Sequence, residues 1–90
     1  MFDNKQKYVK LADDSIIIFL MIIDHSSFKS RNPVSAGFCY IYEEEVNCFG
    51  ESFTLGIEAD KNDSEIATKQ IFGFDAMCKL YARNNKWKNE

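Results

Sequence analysis

The sequence predicts an α+β domain, a four-stranded, mostly antiparallel sheet with one C-terminal helix packed on a face. Two stretches rich in β-branched and aromatic residues precede residue 24, and two more lie between residues 35 and 57. After residue 63 the apolar residues recur at helical spacing. The expected order is therefore β-β-β-β-α, with a short helical turn between the two hairpins.

Length and composition indicate one folded domain covering residues 1–90. A chain of 90 residues is too short for a second core. The composition, 46% hydrophobic and 28% charged, is typical of a globular chain rather than a disordered one. Residues 84–90, in which Trp87 is the only large apolar side chain, are expected to fray.

The first half of the chain contains an expected hairpin and a short helix. Residues 5–11 have the composition of a strand, and polar residues follow as a turn. Residues 16–23 form an apolar run that predicts a strand buried on both faces, at the centre of the sheet. A membrane-spanning helix would need about 20 such residues. Asp24 is a good N-cap for one or two helical turns, which Pro33 would end.

The third strand alternates so that three aromatic residues share one face: Phe38, Tyr40 and Tyr42. If the three glutamates that follow form the turn, Tyr42 lies opposite Val46 and Cys39 lies opposite Phe49. In that register Cys39 and Cys48 point to opposite faces, so they are not expected to form a disulfide.

The parity of the apolar residues changes after Gly50. A strand cannot exchange its faces without an extra residue, so residues 50–52 form either a bulge or a loop between two separate strands. Both alternatives agree with the sequence.

The last third of the chain predicts one long helix. Asn62 and Glu65 match a capping box at its start. The apolar residues that follow lie on one helical face: Ala67, Ile71, Phe74, Cys78 and Tyr81. Gly73 interrupts the pattern at a cost of about 1 kcal/mol relative to alanine. Either one helix tolerates Gly73, or Gly73 ends a first helix and Asp75 caps a second. Since the stripe stays in phase across Gly73, we favour a single, bent helix.

The net charge of -3 is distributed unevenly along the chain. Residues 43–65 carry a net charge of -7, whereas residues 1–42 carry +1 and residues 66–90 carry +3. The acidic middle argues against free nucleic acid as a partner of the whole domain and favours a basic protein surface.

Catalysis and metal binding have little support in the sequence. His25 is the only histidine and lacks both a Gly-x-Ser-x-Gly elbow and a glycine-rich oxyanion loop, so we expect it at the surface of a turn. The three cysteines lack zinc-ligand spacing, and consecutive glutamates lack the alternate spacing of a calcium loop. We expect no catalytic residue, metal or cofactor.

The cysteines and the apolar segments predict the cellular compartment of the protein and the redox state of its thiols. The cysteine number is odd, no Cys-x-x-Cys pair occurs, and the first residues lack the apolar segment of a signal peptide. We therefore expect a cytoplasmic protein with reduced thiols and no membrane partner.

Two binding surfaces are candidates. Residues expected to contact a basic protein partner combine the acidic turn with the aromatic face: Glu43, Glu44, Glu45, Glu51, Phe38, Tyr40 and Tyr42. Because one helix covers only one face of a sheet, the other face would require such a partner or a second copy in a homodimer. The alternative is a small-ligand or nucleic-acid site that adds a basic tail to the aromatic face: Lys79, Arg83, Lys86 and Trp87.

Three segments resemble short proteins encoded in bacteriophage and prophage regions: PVSAGFCYI (33–41), CFGESFTLGI (48–57) and DSEIA (63–67). In that setting, small, acidic, non-enzymatic proteins often bind and block a host machine such as a CRISPR surveillance complex or a nuclease. The resemblance therefore implies a phage-encoded, anti-CRISPR-like inhibitor that acts through its acidic surface in the bacterial cytoplasm.

Overall fold

A computed structural model describes residues 5–84. They form an α+β fold with a four-stranded antiparallel sheet, a separate two-stranded hairpin and two C-terminal helices. The expected fold class and the antiparallel four-stranded sheet are confirmed. Of the tail expected to fray, only Asn84 is among the described residues, and it ends the last helix.

In chain order the elements are β1 (Gln6–Lys10), β2 (Ile16–Phe19), a 3₁₀ helix (His25–Arg31), β3 (Ser35–Tyr42), β4 (Glu45–Phe49), β5 (Glu51–Ser52), β6 (Ile57–Glu58), α1 (Asp63–Phe72) and α2 (Phe74–Asn84). The four-stranded sheet has the order β2-β1-β3-β4, and all its neighbouring strands are antiparallel. β5 and β6 pair only with each other.

β2 lies at an edge of the sheet, so the central position expected for residues 16–23 is wrong. Ile16 and Phe19 are nevertheless buried, because α1 covers one face of this edge and the 3₁₀ helix covers the other. The strand ends at Phe19, and the remaining four apolar residues form an exposed turn in which Ile22 is 88% exposed. The apolar residues of β2 therefore reflect a strand that is covered on both faces, although it lies at an edge of the sheet.

Each face of the sheet has its own small core. The face toward α1 buries Tyr8, Ile16, Cys39 and Val46 with Ala67. The opposite face buries Val9, Leu11, Phe19 and Ala36 beneath Phe28 of the 3₁₀ helix and Leu55 and Ile57 of the β5–β6 hairpin. The expectation that one helix leaves a whole face uncovered is therefore wrong, because the 3₁₀ helix and the β5–β6 hairpin cover the second core.

The C-terminal segment forms two helices rather than one bent helix. Gly73 separates them and adopts φ +102°, a backbone conformation that glycine tolerates because it lacks a Cβ atom. The expected apolar stripe is already exposed in the last turn of α1, before this residue, so it does not form a buried face. Phe74 and Tyr81 are exposed, whereas Ala76 and Leu80 are buried.

The start of α1 also differs from the expected capping box. Asn62 occupies the N-cap position, but its side chain makes no capping hydrogen bond. Instead, the carboxylate of Asp63 accepts the backbone N–H of Asp60 at 2.9 Å. The side chain that organises this helix start therefore belongs to the first helical residue.

Side chains of α1 bond to backbone groups at both edges of the sheet. On β4, the N–H of Val46 donates to Oγ1 of Thr68 at 2.9 Å. On β2, the N–H of Ile16 donates to Oε1 of Gln70 at 2.8 Å, and Nε2 of Gln70 donates to the Ile16 carbonyl at 2.6 Å. These contacts occupy edge groups that would otherwise be open to another strand.

The chain leaves the main sheet at Gly50, which adopts φ +82°. β4 ends before this residue, and the chain continues into β5 of the separate hairpin. Of the two alternatives for residues 50–52, a break between separate strands is therefore the correct one.

Candidate binding face of the β3–β4 hairpin

The β3–β4 hairpin has a two-residue turn formed by Glu43 and Glu44, with Tyr42 opposite Glu45. The expected three-residue turn is wrong, and the correction moves each partner on β4 by one residue. Glu43 adopts φ +53°, a left-handed conformation of the kind that tight hairpin turns require. Val46 consequently pairs with Ile41 instead of Tyr42.

The shift adds an aromatic residue to the face opposite α1, which now carries Phe38, Tyr40, Tyr42 and Phe49. The rings of Tyr40 and Phe49 are stacked, with centroids 5.4 Å apart and an interplanar angle of 15°. Tyr42 is 68% exposed and Tyr40 is 42% exposed. This part of the second face, over β3 and β4, thus presents aromatic rings to solvent.

A cation of the chain itself lies beside this aromatic face. The ammonium of Lys5 is 5.2 Å from the ring centroid of Phe38. At that distance the π electrons of the ring attract the positive charge. The neighbouring Lys7 donates to the carbonyl of Ile23 at 2.7 Å, so its charge is directed toward the β2 turn.

The acidic turn continues the aromatic face at the tip of the hairpin. Glu43 and Glu44 are exposed, whereas Glu45 is partly buried and pairs with Arg83 through a hydrogen bond of 2.6 Å. Glu51 lies at the other end of the hairpin, where it lines a surface groove together with Phe49. Of the three consecutive glutamates, the first two are therefore the ones that project into solvent.

A buried polar cluster lies on the α1 side of the sheet and centres on Asp63. The side chain of Asp63 is fully buried, and its Oδ1 atom lies 2.9 Å from Nζ of Lys10. Its Oδ2 atom accepts hydrogen bonds from the Ser35 hydroxyl at 2.7 Å and from the Tyr8 hydroxyl. The cluster connects β1, β3 and α1.

The electrostatics of this cluster keep Asp63 negatively charged and Lys10 positively charged. Burial raises the pKa of Asp63, but four donors outweigh burial and hold that pKa below its usual value. The donors are the Tyr8 hydroxyl, the Asp60 amide, the Ser35 hydroxyl and the Lys10 ammonium. Burial lowers the pKa of Lys10, but its carboxylate neighbours outweigh burial and raise it. Such an ion pair holds structure and is not poised to transfer protons near neutral pH.

His25 is a buried residue, so the expected surface position is wrong. Its Nε2 atom donates to the carbonyl of Gly37 at 2.8 Å. The imidazole meets the rings of Phe19 and Phe38 edge-on, with centroids 5.5 and 5.7 Å away. The histidine therefore anchors the start of the 3₁₀ helix to the sheet.

Among residues 5–84, no three His, Cys, Asp or Glu side chains are placed to hold a metal ion. No helix in the same range is long and apolar enough to cross a membrane. No protein-family model matches the chain, and no curated protein or solved structure shows significant similarity to it.

The basic residues named for a nucleic-acid site lie beside acidic groups. Lys79 lines a groove of about 430 Å³ together with the three glutamates of the turn region. Arg83 is already paired with Glu45. Lys86 and Trp87 lie outside the described residues, and their part in such a site stays a prediction.

A second acidic surface lies between the start of β3 and the β5–β6 hairpin. It is an open cleft of about 820 Å³ whose walls include Glu51, Glu58 and Asp60. Lys61 contributes the one basic side chain among its lining residues. The acidic character of the middle segment is thus displayed on the surface near the aromatic face.

Proposed function

We propose that this protein is a protein-binding module whose β3–β4 hairpin binds a basic, arginine-rich surface of a partner. The observation that carries the proposal is the continuity between exposed aromatic rings and exposed carboxylates. Tyr40, Tyr42 and Phe49 lie on one face of the hairpin, and Glu43 and Glu44 form its turn.

Arginine fits this combination better than other side chains do. A guanidinium stacks on aromatic rings through its plane and pairs with carboxylates through its N–H groups. The contact between Lys5 and Phe38 supports the proposal, since the face already attracts one cation from its own chain. Exposed tyrosines also contribute a large contact area at a small cost in side-chain entropy.

The charge distribution favours a basic protein over a neutral one. The segment 43–65 carries a net charge of -7, and the carboxylates of the cleft beside β5 and β6 extend the same potential. Complementary potentials steer the encounter of two proteins and exclude partners of like charge. An acidic surface of this kind competes with nucleic acid for a basic groove.

Competition of this kind suits an inhibitor of a nuclease or of a bacterial defence complex. The sequence resemblance to phage-encoded proteins is the support for a bacterial host and for an anti-CRISPR-like role. The aromatic and acidic hairpin supports binding to a basic groove without identifying the complex that contains it.

The proposal is tested by titrating the protein into fluorescent oligo-arginine, oligo-lysine, oligo-glutamate and single-stranded DNA and following the anisotropy. We expect binding to oligo-arginine, weaker binding to oligo-lysine and none to oligo-glutamate. The double variant Tyr40→Ala/Tyr42→Ala should weaken binding about tenfold, since two exposed cation–π contacts contribute about 1 to 2 kcal/mol. Phe74→Ala, which removes an exposed ring on α2, is the matched control and should bind like the wild type.

The acidic part of the surface is tested in the same assay. Glu43→Gln/Glu44→Gln should weaken binding and reduce its dependence on salt, whereas Asp75→Asn, which removes an exposed carboxylate on α2, should have little effect. Equal affinity of all variants would refute the hairpin as the binding site.

Nucleic-acid binding remains the second candidate because of one observation. The stacked Tyr40 and Phe49 rings form the type of platform on which single-stranded bases stack. Tight DNA binding that is lost in Tyr40→Ala, together with no binding to oligo-arginine, would favour this function over the first.

A further inference from the structure

Two cysteines lie directly opposite each other in the β3–β4 hairpin. Cys39 on β3 pairs with Cys48 on β4, and both side chains point toward α1. Cys39 is fully buried and Cys48 is partly exposed. The register with a two-residue turn thus reverses the expectation that these cysteines lie on opposite faces.

The pair has the geometry of a non-hydrogen-bonded cross-strand position. The N–H groups of Val46 and Cys48 point away from β3, because they donate to Thr68 and Ser64 of α1 at 2.9 and 2.8 Å. In such pairs the opposing Cα atoms are about 4.5 Å apart. Disulfides usually join cysteines whose Cα atoms are about 4.4 to 6.8 Å apart, so the backbone needs no rearrangement.

We propose that Cys39 and Cys48 form an intrachain disulfide when the protein meets a low-molecular-weight disulfide such as oxidised glutathione. The thiolate of Cys48 attacks one glutathione sulfur, which forms a mixed disulfide and releases one glutathione thiolate. The thiolate of Cys39 then attacks Sγ of Cys48 and expels the second glutathione thiolate. Two protein thiols are oxidised, one glutathione disulfide is reduced, and the two protons lost by the protein end on glutathione.

The burial of the two thiols sets the order and the pace of these steps. Cys48 reacts first because glutathione disulfide can reach its partly exposed thiol and not the fully buried Cys39, although the pKa of Cys48 is raised further. Cys39 is then already held beside the mixed disulfide. Burial raises the pKa of Cys39 to about 11, and burial together with the nearby Cys39 and Asp63 raises the pKa of Cys48. Small thiolate fractions make the exchange slow at neutral pH.

The disulfide would join β3 to β4 beneath the exposed aromatic rings. It would restrain a short hairpin loop, so the linked form should melt at a higher temperature than the reduced form. The two cysteines lie on the opposite side of the hairpin from the proposed binding face, so the disulfide can form whether or not that face binds arginine.

The test uses the full chain with Cys78→Ala, which removes the exposed thiol of α2. The folded protein is equilibrated with reduced and oxidised glutathione over a range of ratios, quenched with acid, alkylated and analysed by mass spectrometry. We expect a species lighter by two hydrogen atoms, with a peptide link between Cys39 and Cys48 and a raised melting temperature. Cys39→Ala in the same background should stop at the glutathione adduct of Cys48.

A second experiment distinguishes two reasons for an absent disulfide: an unfavourable geometry of the two cysteines, or slow access of glutathione to the buried thiols. The protein is refolded from urea in the same redox buffers, so that both thiols meet the oxidant before burial. A Cys39–Cys48 link in either arm supports the proposal. Full alkylation of both cysteines in both arms, at every glutathione ratio, would overturn it.

Discussion

The ammonium of Lys10 lies 2.9 Å from Oδ1 of Asp63, and this ion pair is buried between β1 and the first turn of α1. The start of a helix favours a negative charge, since its free N–H groups form the positive end of the helix dipole. Lys10 also lies 3.5 Å from Oδ2 of Asp60. One lysine at the end of β1 thereby fixes where α1 begins relative to the sheet.

Asp63→Asn should destabilise the protein by about 3 to 5 kcal/mol, because it leaves the buried Lys10 without its principal counter-charge. Urea denaturation at neutral pH measures the free energy of unfolding. Asp75→Asn changes an exposed acid in the first turn of α2 and is the matched control. Equal stability of the two variants would show that the ion pair does not hold α1 in place.

The same aspartate predicts a dependence of stability on pH. The pKa of Asp63 is lowered in the folded state, so the unfolded state takes up a proton first as the pH falls. The stabilisation by Asp63 is complete above its unfolded pKa of about 3.9 and is lost as the pH falls toward the lower folded pKa. Between about pH 6 and pH 3 the wild type should lose more stability than Asp63→Asn. Parallel pH profiles would contradict this assignment.

Tyr8→Phe should cost about 1.5 to 3 kcal/mol, since it removes a hydrogen bond donated to a buried carboxylate and keeps the ring. Tyr40→Phe removes a hydroxyl from a partly exposed ring and should change the stability by less than about 0.5 kcal/mol. Thermal unfolding followed by circular dichroism compares the two variants. A similar melting temperature for both would contradict the role given to the Tyr8 hydroxyl.

Gln70→Ala should cost about 1 to 3 kcal/mol, because it leaves the N–H and the carbonyl of Ile16 without their partner at the β2 edge. The amide hydrogen of Ile16 should exchange faster with solvent, as NMR hydrogen exchange would show. Lys69→Ala changes the neighbouring exposed residue and should leave that exchange rate unchanged. Unaltered protection of Ile16 in Gln70→Ala would argue against edge cover by α1.

The sequence was sufficient for the hairpins and for the aromatic face. Alternation places Phe38, Tyr40 and Tyr42 on one side of β3 whatever residues form the turn. It could not predict the register, because three consecutive glutamates suit a turn of either two or three residues. The difference of one residue in turn length decides whether Cys39 lies opposite Cys48 or Phe49.

Other features depend on contacts between distant parts of the chain. A lysine that is buried in the fold requires an acidic partner, and the sequence contains several aspartates that could supply one. Only the packing of α1 against the sheet brings Asp63 to Lys10. The cover of the second face comes from Phe28, Leu55 and Ile57. Alternation after Gly50 predicted strand residues, but it could not show that this segment leaves the four-stranded sheet and packs on its second face. The apolar spacing in the sequence runs in phase across Gly73, but the backbone conformation of this residue ends the helix.

We propose that the outer face of the β3–β4 hairpin binds a basic partner. The amide chemical shifts of isotope-labelled protein, followed during a titration with oligo-arginine, would locate this binding site residue by residue. We expect the largest changes at Tyr40, Tyr42 and Phe49 and in the acidic turn. Changes concentrated on α2 or at residues 20–23, or no changes at saturating peptide, would contradict this proposal.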